Sequence, residues 1–103
     1  MGKHKYEMHV DKPDHMDNES MMELKKIALA PYMQLATDLI GKARHAGGNM
    51  FRHQMDTLTI LIDYGYINAV LLKASVIHDV VEDIPGFDVN RIINCDSDGE
   101  AVY

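Results

Sequence analysis

An all-α domain is predicted by three features of this 103-residue sequence. Apolar residues recur at three- and four-residue spacing, as in Met55, Leu58 and Ile62, which is the period of an amphipathic helix. Residues that cap helices, Ser20, Asn68 and Asp88, stand just ahead of such stretches, where a side-chain oxygen can accept from an unpaired backbone N–H. Glycine and proline close them at Gly47-Gly48, Gly65 and Pro85-Gly86. The length suits one small domain. Residues 1–18 are polar, without apolar period, and are expected to form a flexible tail that carries His4, His9 and His15. Residues 19–103 are expected to form the helical domain.

The first helix is predicted to begin at the Ser20-Met21-Met22-Glu23 capping box. Pro31 breaks or kinks it, because the ring removes a donor and disfavours helix at Ala30. A second helix from about Pro31 carries Leu35, Leu39, Ile40 and Ala43 and ends at Gly47-Gly48. The third runs from about residue 50 to 64 and stops at Gly65. The fourth starts on Asn68 and continues through Val70, Leu72, Val76 and Ile77 to about Asp83. Asp88 caps a short helix through Arg91, Ile92 and Ile93. Ser97-Asp98-Gly99-Glu100 opens another capping box three residues before Tyr103. A single turn does not stand alone, so the bundle is expected to be truncated at its C-terminus.

Composition excludes several classes of function. With 16 acidic against 10 basic residues, the formal charge is −6, and such a field repels a nucleic-acid backbone. A small phosphorylated substrate stays open, because a bound divalent cation dominates its local field. Cys95 is the single cysteine, so no internal disulfide forms. Residues 1–10 lack the apolar stretch of a signal peptide, and no apolar run is long enough to span a bilayer. A cytoplasmic protein with no nucleic-acid or membrane partner is expected.

The chemistry concentrates in Val76-Ile77-His78-Asp79-Val80-Val81-Glu82-Asp83. His78 and Asp79 offer an imidazole nitrogen and a carboxylate on adjacent residues, and both can reach a cation over the groove between them. Glu82 and Asp83 follow one helical turn later, four residues on in each case. Carboxylates at a helix C-terminus oppose its dipole, an arrangement that a bound cation would relieve. If the third and fourth helices form an antiparallel hairpin, His53 near the start of one meets His78 near the end of the other. A mixed nitrogen and oxygen donor set suits Mn, Fe, Zn or Mg.

His53, followed about two dozen residues later by Ala74-Ser75-Val76-Ile77-His78-Asp79-Val80-Val81-Glu82-Asp83, resembles the hydrolase half of RelA/SpoT homologues. It is also similar to the small stand-alone alarmone hydrolases of the HD superfamily. The resemblance covers roughly residues 36–95 and implies an HD-domain-like helical bundle. It implies that His53, His78 and Asp79 ligate a divalent metal, Mn²⁺ being usual in the family. Glu82 and Asp83 would position or deprotonate the water that attacks the 3′-pyrophosphate of guanosine alarmones such as ppGpp. Arg44, in Lys42-Ala43-Arg44-His45-Ala46-Gly47, falls where the family has a basic residue that helps to hold the nucleotide.

Two departures qualify what the resemblance implies. The family's longer basic and aromatic loop ahead of the first ligand is here the short Gly47-Gly48-Asn49-Met50-Phe51. The family's fourth metal ligand, an Asp on a helix well downstream, has no counterpart before Tyr103. Three alternatives therefore stand: an alarmone hydrolase, an HD hydrolase of another nucleotide or phosphoester, and a truncated or degenerate HD domain that binds without turnover. A second copy of the chain could complete the site or cover an apolar face left bare. Asn94-x-Asp96-x-Asp98-Gly99 matches the opening of an EF-hand loop but lacks the closing Glu, so a capped turn is the expectation. Cys95 is expected to be an idle thiol.

Overall fold

The computed structural model describes residues 16–44 and 46–103. Among these the chain is mostly helical and has no strand, so the all-α expectation holds; an isolated antiparallel bridge joins Ala43 and Asn49. The expected tail, with His4, His9 and His15, lies outside the described residues except for its last three positions. No helix among the described residues is long and apolar enough to cross a membrane.

Helix α1 spans Asn18–Lys26. Its cap is Asp17 rather than Ser20: the Asp17 carboxylate accepts from the Ser20 backbone N–H at 2.7 Å. The expected cap was thus three residues late, because Asp17 stands one residue ahead of the helix and serves the same purpose. The helix ends at Ile27, before Pro31 can act on it. Helix α2, Ala30–Ala36, takes Pro31 in its first turn, where the missing N–H would be unpaired in any case. It does not continue to Gly47. Thr37 donates its hydroxyl to the Gln34 carbonyl at 2.6 Å, and the chain tightens into a 3₁₀ segment over Thr37–Gly41.

Helix α3, Met50–Asp63, begins on Asn49, whose side chain accepts from the Arg52 N–H at 2.9 Å. It ends at Gly65, whose φ of 84° an L side chain rarely adopts. Helix α4, Ala69–Ile77, begins as expected on Asn68, which accepts from the Leu71 N–H at 2.9 Å. Instead of running on to Asp83, it stops at His78. A separate turn, α5 (Val80–Asp83), follows. The His78 ring bonds the Ser75 carbonyl at 3.2 Å, the acceptor that the Asp79 N–H would use in an unbroken helix. Helices α6, Asn90–Ile93, and α7, Gly99–Val102, are single turns. Val89, not Asp88, is the cap residue of α6 and makes no side-chain cap bond. Asp88 stands one residue earlier and accepts from the Asn90 N–H at 3.0 Å in an Asx-type turn. Ser97 does not cap α7. Asp96 accepts from the Asp98 N–H there, at 2.9 Å.

The core forms where α2, α3, α4, α6 and α7 converge. Tyr32, Ala36, Leu39, Leu72, Val76, Val80 and Ile92 are all fully buried, and burying an aliphatic side chain of this kind contributes about 1.5–3 kcal/mol. Helix α4 is the central element, packing against α2, α3 and α7. It is accordingly apolar on most of its surface, with Leu72, Lys73, Ser75, Val76 and Ile77 buried.

Lys73 is the exception in that run. Its side chain is 6% exposed and its Nζ donates to Asp96 Oδ2 at 2.8 Å and to Asp98 Oδ2 at 2.7 Å. Tyr32 donates its hydroxyl to Asp96 Oδ1 at 2.5 Å, and the ammonium lies 5.4 Å from the Tyr32 ring centre. The acidic turn that begins like a calcium loop therefore holds the chain's own cation. Burial alone would lower the Lys73 pKa, but the bonds to both carboxylates outweigh it and raise it. Burial likewise pushes Asp96 up, and the bonds from Lys73, Tyr32 and the Asp98 backbone outweigh it, so Asp96 lies below the usual carboxylate range. Burial, and then the charge of Asp96, pushes the Cys95 thiol up. That keeps it protonated and unreactive at neutral pH.

Candidate metal centre

A connection of five residues, 64–68, turns α3 back along α4, and the two helices pack against each other. The start of α3 therefore lies beside the end of α4. Asn49 fixes that start, and His53 stands one turn inside it. At the other end, the break after Ile77 turns His78 and Asp79 out of the helical ladder towards α3. The expectation that His53 faces the His78-Asp79 pair is met in this geometry.

His53, His78 and Asp79 each present one donor atom, and these atoms lie within 4.8 Å of one another. Asp79 Oδ2 is 3.3 Å from His78 Nε2 and 3.8 Å from His53 Nε2. The imidazole centroids are 6.2 Å apart, with the rings inclined at 63°. Donors about 2.1 Å from a common cation stand about 3.0–3.5 Å apart at right or tetrahedral angles. The Asp79–His78 separation already fits, whereas His53 must move inward to share one cation with both, since the three donors span up to 4.8 Å. His78 Nδ1 is engaged with the Ser75 carbonyl, which assigns the proton to Nδ1 and leaves the Nε2 lone pair facing Asp79. The side chains are 31%, 46% and 20% exposed for His53, His78 and Asp79, so the centre opens to solvent on one side. The carbonyl end of α4, with its partial negative charge, also favours a cation there.

Two nitrogens and one carboxylate oxygen at this spacing fit a divalent transition metal. Among the described residues the cluster has three members. Glu82 and Asp83 lie on α5, directly after the pair. Asp83 is half-buried, and its backbone N–H donates to the Asp79 carbonyl at 2.9 Å, whereas Glu82 is exposed. Neither joins the three-member cluster. Arg44 is half-buried on the loop that leads into α3, and its backbone pairs with Gly47 and Gly48 at 3.0 Å each. The loop closes again through Met50, which donates to the Lys42 carbonyl at 2.8 Å. Asp96 and Asp98 are engaged with Lys73 and belong to a different cluster.

Sequence reasoning passed over one residue here. Gln54, next to His53, is fully buried and donates from Nε2 to Asp79 Oδ2 at 2.8 Å. The signal was an amide in an apolar stripe, with Met50 and Phe51 one turn before it and Leu58 one turn after. A buried amide at such a position needs a polar partner. Compared with known proteins, the chain matches no family model and no curated protein.

Proposed function

We propose that the chain is a metal-dependent phosphohydrolase of HD type, acting on the 3′-pyrophosphate of a guanosine alarmone such as ppGpp. The observation that carries this is the meeting of His53 with the His78-Asp79 pair across the α3–α4 hairpin. These residues lie 25 and 26 positions apart in sequence, and their spacing and order resemble the HD pattern. The same geometry supports reading the helices around it as an HD-like bundle.

In this reading His53 Nε2, His78 Nε2 and Asp79 Oδ2 hold a divalent cation, Mn²⁺ by the family's usage. The cation would supply positive charge to phosphate oxygens and acidify a water. Glu82 and Asp83, on the turn directly after His78 and Asp79, would be the carboxylates that orient the attacking water and accept its proton. Arg44, on the loop entering α3, provides a positive charge for the nucleotide's phosphates. The chain's net charge of −6 makes local cations necessary for an anionic substrate to approach.

The test is release of pyrophosphate from ppGpp with Mn²⁺, beside an EDTA control, His78→Ala and Glu82→Gln. The proposal expects Mn²⁺-dependent release that EDTA and His78→Ala abolish. Glu82→Gln should lower turnover by roughly 10²–10⁴-fold, the usual contribution of a general base, while leaving Mn²⁺ bound. Orthophosphate as the product would move the substrate to another phosphoester. No release from folded, Mn²⁺-loaded protein would leave a domain that binds without turnover.

A further inference from the structure

Gln54 is the only fully buried side-chain amide among the described residues, and half of it is used. Nε2 donates to Asp79 Oδ2 at 2.8 Å, while Oε1, also buried, has no hydrogen-bond partner. The orientation is chemically fixed, because an ionised carboxylate only accepts. Turning the amide over would set oxygen against oxygen. An unpaired buried carbonyl forfeits its hydration, and a methionine or leucine would fill the same apolar stripe between Phe51 and Leu58 without that loss. The amide at this position therefore works against stability, and its single bond ends on the atom that lies 3.3 Å from His78 Nε2 and 3.8 Å from His53 Nε2.

From this geometry we infer that Gln54 is a positioning residue. It holds Asp79 Oδ2 towards the two imidazoles, so that the carboxylate engages a divalent cation through that one oxygen and in a preset direction. The inference rests on the metal centre proposed above and assigns it a supporting partner that the metal-ligand pattern does not contain. Carboxylate ligands are ordinarily oriented by such a hydrogen bond, and losing it weakens metal binding by about 10–100-fold.

The experiment titrates Mn²⁺ into wild type, Gln54→Met and His78→Ala, reading free Mn²⁺ by electron paramagnetic resonance. Urea unfolding of each protein in EDTA runs in parallel. In Gln54→Met, the Mn²⁺ dissociation constant should rise 10–100-fold while the urea midpoint stays level or rises. A packing role moves the two readouts the other way, with a lower midpoint and unchanged affinity, and that result overturns the inference. Unchanged affinity in Gln54→Met beside lost binding in His78→Ala sinks Gln54's role alone and leaves the metal centre standing. Wild type that takes up no Mn²⁺ sinks both. Gln54→Leu, different in shape and equally apolar, repeats the measurement if the methionine variant does not fold.

Discussion

At the scale of single residues, the charges inside this small core decide how it responds to pH. Asp96 has a lowered pKa in the folded chain, held there by Lys73, Tyr32 and the Asp98 backbone against the opposing effect of burial. A group depressed on folding stabilises above its unfolded pKa, about 3.9 for Asp, and loses that contribution as pH falls through the lower folded value. Urea midpoints of wild type should therefore decline below about pH 4. Asp96→Asn should start lower at neutral pH and decline less on the acid side, so that the two profiles converge. Parallel profiles would remove Asp96 from the acid transition. None of this was legible beforehand. Asp96 and Asp98 were visible as a turn, and their partner 23 and 25 residues upstream was one lysine in an apolar helix. Which of the downstream acids it would meet depends on how α7 packs, a tertiary fact.

Among the elements, α6 and α7 pack so that Gly99 lies directly against the α6 main chain. A Cβ at Gly99 would stand 2.2 Å from the Ile92 carbonyl oxygen and 2.3 Å from that of Ile93. Both are main-chain atoms and cannot swing aside. Gly99→Ala should thus cost at least the 1–3 kcal/mol usual for overpacking, roughly, visible as a lower urea midpoint. An alanine variant of unchanged midpoint would show that the two turns can separate freely. The other element boundaries divide by the kind of force that sets them. The starts of α3 and α4 and the stop at Gly65 follow from local chemistry, an Asx cap or a glycine, and could be read from sequence. The ends of α2 and α4 could not. Each is set by a side chain competing for a helix carbonyl, Thr37 for that of Gln34 and His78 for that of Ser75, and no proline or glycine marks the position. The same break presents His78 and Asp79 to His53. The candidate cluster was therefore legible from residue types and the hairpin, while the helix break that shapes it was not.

Over the whole molecule, α4 ties the site to the C-terminal turns: His78 and Asp79 lie at its end, and Lys73 anchors residues 96–98 from its middle. Lys73→Met would leave two carboxylates facing each other without a cation. Breaking a buried pair from one side costs about 3–5 kcal/mol, and partial exposure of both carboxylates, at 25% and 34%, puts the expected loss near about 3 kcal/mol. Circular dichroism during urea unfolding measures it, and a loss below about 1 kcal/mol would place the pair with ordinary surface ion pairs. The lysine also settles a competition for ions. Without the lysine, the two carboxylates of this turn would depend on ions from solution for compensation. Here the counter-ion is covalently part of the chain, present at one equivalent and impossible to dialyse away. Among the described residues, the cluster of His53, His78 and Asp79 is separate from this anchor, so adding or chelating divalent ions should leave the C-terminal turns in place.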